Sequence, residues 1–375
     1  MEFGLFVQGY VPAARSAVDP EAEHKALMEE TQYVIQADKS GFKYAWASEH
    51  HFLEEYSHLS ANEVFLGYLA HATERIHLGS GIFNPLAQVN HPVKVAEKVA
   101  MLDHLSEGRF EFGSGRGAGS HEILGFIPGV TDMNYTKEIW EETIAEFPKM
   151  WLQEEYPGFQ GKHWSLPPRK IFPKPYGKSH PAMWYAAGSP SSYAMAAKKG
   201  LGVLGFSVQK VSDMEWVLEQ YKTAVQEAEP VGGFVNDNVM VTSTAICAPT
   251  HDEAVQIAVN GGLNRLQSLV FRYHDTFPRP EGIPEWPETL PEYNAEIIEL
   301  LIAEELMICG DPDEVTAQCK RWEAAGADQL SFGLPIGVPF EETMRSIRLI
   351  GEHVIPRIDT DPVHRTSRFR AASGG

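Results

Sequence analysis

The feature that most constrains this chain is its rhythm: apolar runs of strand length alternate with amphipathic stretches of helical length from the first residues to about residue 354. Parallel neighbours cannot be joined by tight hairpins and need a crossover, so regular alternation of strand and helix predicts a parallel sheet. The strand runs are 2–8, 43–48, 76–82, 109–112, 182–186, 202–206, 238–247 and 329–334. Helices between them carry their own start and stop signals. Asp19-Pro20 precedes Leu27, Thr31, Val34 and Ile35, and His91-Pro92 precedes Val95, Val99, Leu102 and Leu105, closed by Gly108. Proline at a first helical position and glycine after the last turn are the expected punctuation. Eight strands, each followed by helix, fit a single (β/α)8 TIM barrel over 1–358 with loop insertions. A doubly wound sheet, which shares the alternation, is the second reading.

The surplus length falls in three places. Residues 152–180 break the rhythm with prolines, glycines and aromatics and are expected to be loop with a short hairpin. Residues 274–292 hold Pro278, Pro280, Pro284, Pro287 and Pro291 among several acids, and a loop this long inside a compact domain is a lid candidate. The tail 359–375 has Arg365, Arg368 and Arg370 but no apolar periodicity, which predicts disorder.

Charge excludes some partners. Thirty-one basic against 51 acidic residues give a formal charge of -20, and so negative a surface repels nucleic-acid backbones. Cys247, Cys309 and Cys319 are few and far apart, which suits a reducing cytoplasm and neither a disulfide framework nor a four-cysteine zinc site. The opening Met1-Glu2-Phe3-Gly4-Leu5-Phe6 has no basic lead and reads as a first strand, and no run approaches the ~18 apolar residues of a membrane span.

In a barrel every strand ends at one rim, so three groups should converge there. The first is Glu49-His50-His51, after the second strand. Adjacent residues of an extended segment point oppositely, so one histidine of the pair is expected to face the lumen. Acid–base or hydrogen-bonding chemistry, a metal site and plain packing are the three readings of the pair, and metal is the weakest because the first strand ends Gln8-Gly9-Tyr10 and brings no H-x-H. The second is Gly113-Ser114-Gly115-Arg116-Gly117-Ala118. It fits G-x-G-x-x-A but follows a fourth strand and lacks the acid ~20 residues on, so a nicotinamide site is disfavoured. Its glycines allow a flat or phosphorylated ligand to approach, with Arg116 for charge, or else serve only a tight turn. The third is Gly188-Ser189-Pro190-Ser191-Ser192 between strand and helix, either a phosphate site or a serine cap. His77, His91, His104 and His121 are expected to be structural.

These groups, together with Leu102-Asp103-His104-Leu105-Ser106-Glu107-Gly108-Arg109, Thr131-Asp132-Met133 and Gly310-Asp311-Pro312 in this order, resemble the bacterial luciferase-like family of flavin-dependent monooxygenases from Glu2 to about Val354. The resemblance implies a (β/α)8 barrel holding reduced FMN at the C-terminal rim. His50 is then catalytic, Arg116, Lys137, Ser189 and Ser192 with Gly188 hold phosphate, and the flavin rests on Ser80-Gly81, where relatives carry a non-proline cis peptide, and beside Gly115. Lys137 stands where luciferase has arginine and Gly115 where it has a reactive cysteine, so light emission is not expected. The resemblance further implies FMNH2 from a separate flavin reductase, O2 activation as a flavin 4a-hydroperoxide, no metal, and a homodimer. A lid and the aromatics Phe6, Tyr10, Phe83 and Trp184 point to a small apolar organic substrate. The alternatives are a deazaflavin-dependent oxidoreductase of the same fold, a non-catalytic flavin-binding relative and, more distantly, a metal-dependent barrel hydrolase.

Overall fold

The eight apolar runs become eight parallel strands: β1 (Glu2–Val7), β2 (Tyr44–Ala47), β3 (His77–Ser80), β4 (Phe110–Ser114), β5 (Ala182–Ala187), β6 (Gly202–Phe206), β7 (Val239–Cys247) and β8 (Gln329–Gly333). Each strand bonds the next, and β8 returns to β1 in register, with Phe3 opposite Leu330 and Leu5 opposite Phe332. The sheet is therefore a closed (β/α)8 barrel, and the doubly wound alternative, which needs two free edges, is excluded. The computed structural model describes residues 1–117, 119–206, 209–275, 279, 281–333 and 337–374.

Side chains alternate across each strand, so one set fills the barrel and the other packs under the helices. Phe6, Tyr44, Trp46, Trp184, Leu204 and Met240 occupy the interior. Phe3, Leu5, Ala45, Leu78 and Phe112 join the larger layer beneath the helices. The interior explains one glycine directly: a Cβ at Gly79 would lie 2.2 Å from Trp46 Cε3, so the indole fits only because β3 has no side chain there.

Several expectations need correction. A short strand, Ile308–Gly310, extends the sheet beside the end of β7, with Ile308 opposite Ala245. Three residues are too few to show a period, so it had no sequence signal. Residues 251–273 form two helices, His251–Asn260 and Leu263–Tyr273, broken at Gly261-Gly262, where Gly262 takes φ 62°. The expected hairpin in 152–180 forms from Phe159–Gln160 and Ser165–Leu166. Of the lid candidate, Thr276, Phe277, Pro278 and Pro280 lie outside the described residues. Its later part is pinned by Trp286, over which the Arg265 and Arg272 guanidinium groups lie at 5.8 and 4.6 Å.

The tail is not disordered. Arg365–Ala372 is helical and lies against the N-terminal end of the barrel. Arg370 grips buried Asp103 through both guanidinium nitrogens at 2.8 and 2.7 Å, Thr366 Oγ1 donates to Glu111 Oε1 at 2.5 Å, and the Arg365 amide donates to Glu2 Oε1 at 2.9 Å. These contacts are polar, which is why no apolar stripe announced the helix.

The three cysteines are free and buried. Among the described residues, no helix is long and apolar enough to cross a membrane.

Candidate functional site

β2 stops at Ala47, and Ser48 continues with its amide bonded to Val7 O before the chain turns into the loop carrying Glu49, His50 and His51. Because the strand has ended, the pair does not alternate as an extended segment would. Both histidines line one cavity at the C-terminal rim, which corrects the expectation that only one could.

His50 is buried, and each ring nitrogen has a partner. Nδ1 lies 3.1 Å from Glu122 Oε1 and 3.3 Å from Oε2, and Nε2 lies 3.4 Å from the Tyr56 hydroxyl. Glu122 Oε1 also accepts the His51 amide at 2.6 Å. Burial works to raise the Glu122 carboxyl, but the charge and hydrogen bond of His50, the His51 amide and His274 outweigh it and hold its pKa below the ordinary glutamate value. An ionised Glu122 only accepts, so the His50 nitrogen that faces it, Nδ1, carries a proton. The sequence places Glu122 beside the glycine loop but gives it no role. Its only signal was a carboxylate three residues past Gly119 at the start of the helix Ser120–Phe126.

His51 packs edge-on against Phe126 with centroids 4.9 Å apart, and its Nε2 lies 3.4 Å from Glu49 Oε1. Glu49 Oε1 also accepts from Asn90 Nδ2 at 3.0 Å, so the unassigned carboxylate holds His51 and the following loop in place.

The same cavity also has a basic and hydroxylic lining. Arg116 donates from one guanidinium nitrogen to Met133 O at 3.3 Å and to Thr136 Oγ1 at 3.2 Å, and it lines the cavity with Gly188, Ser189 and Ser192. The helix Pro190–Lys198 begins there, with the Ser189 amide donating to Ser192 Oγ at 3.0 Å. Capping and cavity lining are thus both true of these serines. Gly81, Gly115 and Gly117 line the cavity as well. A Cβ at Gly115 would fall 2.7 Å from Ile82 Cδ1, so a larger residue there would have to displace the tip of that side chain.

Two predicted contacts are not in the cavity. Ser80 is wholly buried and ties β3 to β4, donating to Gly113 O at 2.8 Å and accepting the Gly113 amide at 3.0 Å. Lys137 is exposed. Its helix, Asn134–Ile144, turns Thr136 toward Arg116, and the next residue, about 100° round, points away. The non-proline cis peptide joins Tyr56 and Ser57, not Ser80 and Gly81. Of the four aromatics expected to face substrate, only Phe6 lines the cavity. Trp184 donates to Glu111 inside the barrel, Phe83 is core, and Tyr10 packs beside Tyr56, while Ile82, Val89, Ile123 and Phe126 supply the apolar walls.

None of the four histidines expected to be structural lines the cavity. His77 bonds Glu111, His91 caps the helix Pro92–Leu105, His104 Nε2 meets Lys174 O, and His121 Nε2 meets Phe52 O. Among the described residues, no cluster of histidine, cysteine and carboxylate suits a metal ion.

A cavity lined by a guanidinium, serine hydroxyls, a helix N-terminus, glycines and a carboxylate-backed histidine can take a flat ligand ending in phosphate. Comparison with known proteins agrees. The pattern of the luciferase-like monooxygenase family matches residues 1–329. The oxygenase component of a flavin-dependent trigonelline monooxygenase from Acinetobacter baylyi is 25% identical over 97% of this chain and 98% of its own. The alkanal monooxygenase alpha chain of the Kryptophanaron alfredi symbiont is 31% identical over 54% of each. Among solved structures, the oxygenating constituent of 3,6-diketocamphane monooxygenase from Pseudomonas putida, in complex with FMN, superimposes with a TM-score of 0.75 at 22% identity, over 96% of this chain and 99% of that one.

Proposed function

The chain belongs to the luciferase-like monooxygenase family, and on that premise we propose that it is the oxygenase of a two-component system. It takes reduced FMN from a separate flavin reductase and uses O2 to oxygenate a small, largely apolar organic substrate. The observation that carries this reading is the convergence of Arg116, Ser189 and Ser192 on the same cavity that His50 and Glu122 line. When bound, reduced FMN supplies the electrons for oxygen activation.

The protein's own share follows from the residues. Arg116 and the N-terminus of Pro190–Lys198 hold the phosphate end, and Gly188, Ser189 and Ser192 add small donors. Gly81 and Gly115 line the cavity past the ends of β3 and β4, where they present backbone to a ring. Phe6, Ile82, Val89, Ile123 and Phe126 exclude water and give an apolar substrate its surface. His50, with Nδ1–H held by ionised Glu122, offers Nε2 as the proton acceptor, and the carboxylate stabilises the imidazolium that results.

The partners follow likewise. Val64 and Tyr68 on the helix Asn62–Ala72 and Met101 and Leu105 on Pro92–Leu105 are exposed at i, i+4 spacing on two helices that pack together, and this reading pairs them with a second copy. Three buried thiols fit a reducing cytoplasm.

Anaerobic titration tests the cofactor. Reduced FMN should bind, and Arg116→Ala should weaken binding by about tenfold or more, the scale of one charge-assisted contact. Failure to bind FMN, with turnover only on a reduced deazaflavin, would replace the monooxygenase by a hydride-transferring oxidoreductase.

A further inference from the structure

Tyr56 is the residue that neither the strand pattern nor the glycine loop brought forward, yet it occupies the nitrogen on which His50 would act. A ring nitrogen takes one in-plane hydrogen bond. Nδ1 faces Glu122, and among the described residues the Tyr56 hydroxyl is the side-chain group on Nε2. The rings lie 5.3 Å apart at 45°, and Tyr56 is 1% exposed while lining the cavity. A ligand that approaches Nε2 therefore meets this hydroxyl.

We propose that Tyr56, His50 and Glu122 form a proton relay in which the Tyr56 hydroxyl is the group presented to the bound ligand. The inference rests on the flavin reading of the same cavity and deepens it. In the relay a proton leaving the ligand passes to the Tyr56 oxygen as the Tyr56 proton passes to His50 Nε2. The ligand loses one proton, tyrosine is unchanged, and His50 becomes an imidazolium against the Glu122 carboxylate. The return step runs the same chain backwards, so Tyr56 never carries charge.

The surroundings suit such a chain. Burial and the Glu122 charge raise the Tyr56 phenol well above its ordinary value, so it stays protonated and donates. His274 stands edge-on to His50 at 5.4 Å and 5.7 Å from the Tyr56 ring. Burial, then the charge of His50, pushes its pKa down to about 3, so it stays neutral beside the relay. Glu49 and His51 bond each other and leave the relay to Glu122.

The test compares wild type with Tyr56→Phe, which keeps the ring and removes only the hydroxyl. Two readouts are needed: nitrogen-15 NMR of the histidine side chains, and the pH profile of flavin reoxidation after mixing photoreduced FMN with oxygen. The relay predicts that Tyr56→Phe moves the His50 Nε2 resonance, keeps FMN affinity within about threefold, and slows the pH-dependent phase by about tenfold or more, on the scale of general acid–base contributions. His50→Ala should remove the same phase, and the double variant should be no slower than His50→Ala alone. An unmoved Nε2 resonance, an unchanged profile, or effects that multiply in the double variant would overturn it. If wild type does not bind FMN at all, the flavin reading fails separately, and the NMR arm still decides whether the hydroxyl holds Nε2.

Discussion

The barrel holds a buried histidine–glutamate pair near each end, and the two pairs behave oppositely. At the N-terminal end His77 Nδ1 and Glu111 Oε1 are 2.7 Å apart, and Glu111 also accepts from Trp184 Nε1 at 2.7 Å and Thr366 Oγ1 at 2.5 Å. Burial there dominates. It pushes the carboxyl up to about 7 and the imidazole down to about 3, both toward the neutral form. At the C-terminal rim His50 and Glu122 are similarly close, but the backbone N–H of His51 also serves the carboxylate, whose pKa is lowered. The same two side chains therefore make a neutral structural pair where the tail helix covers them and a charge-bearing pair where they border a cavity. Burial alone does not mark a functional pair; its charge state and what it faces do.

Separating the two ends by mutation should separate stability from chemistry. The largest effect is expected from truncation after Arg357, which removes the tail helix, breaks the buried Arg370–Asp103 pair and leaves Glu111 and Glu2 short of donors. A loss of about 3–5 kcal/mol in urea unfolding is expected, the scale for removing one partner of a buried ion pair. Unchanged stability would show that the tail covers nothing that matters. Next, His50→Ala should cut product formation by about 100-fold or more while the unfolding midpoint stays near wild type. A comparable loss of stability would make the rim pair structural like its counterpart. Thr366→Val should cost about 1–3 kcal/mol by leaving Glu111 one donor short, with reduced-FMN binding unchanged in the same titration.

The smallest effect is a matter of slope. Glu111 contributes stability present below about 4.5 and lost as pH rises through about 7. His77 contributes stability present above about 6.5 and lost as pH falls through about 3. In wild type these slopes oppose one another across mildly acidic pH. Glu111→Gln removes the first and should leave stability rising with pH up to the His77 limit, read from urea midpoints. A variant whose stability fell with rising pH over that range would show that another group sets the slope.

How far the sequence revealed these ends differs for physical reasons. The eight strands were legible because each is a short apolar run between helix caps, and Gly81, Gly115, Arg116, Gly188, Ser189, Ser192 and His50 all line the cavity because strand ends converge in a barrel. Glu122 and Tyr56 were not, since a lone carboxylate and a lone tyrosine have no period, and their meeting at His50 depends on loop conformation. Ser80 and Lys137 fell outside the cavity because one residue along a strand or helix reverses or rotates the side chain. The tail was missed because it binds through arginine, threonine and backbone amides, contacts that leave no hydrophobic signature.

The most direct test of the account is rapid mixing of the protein loaded with photoreduced FMN against oxygenated buffer, followed by absorbance. The account predicts a transient spectrum distinct from both reduced and oxidised FMN, long-lived in wild type and short-lived in His50→Ala. Direct reoxidation at the rate of free FMN, with no transient in either protein, would contradict it.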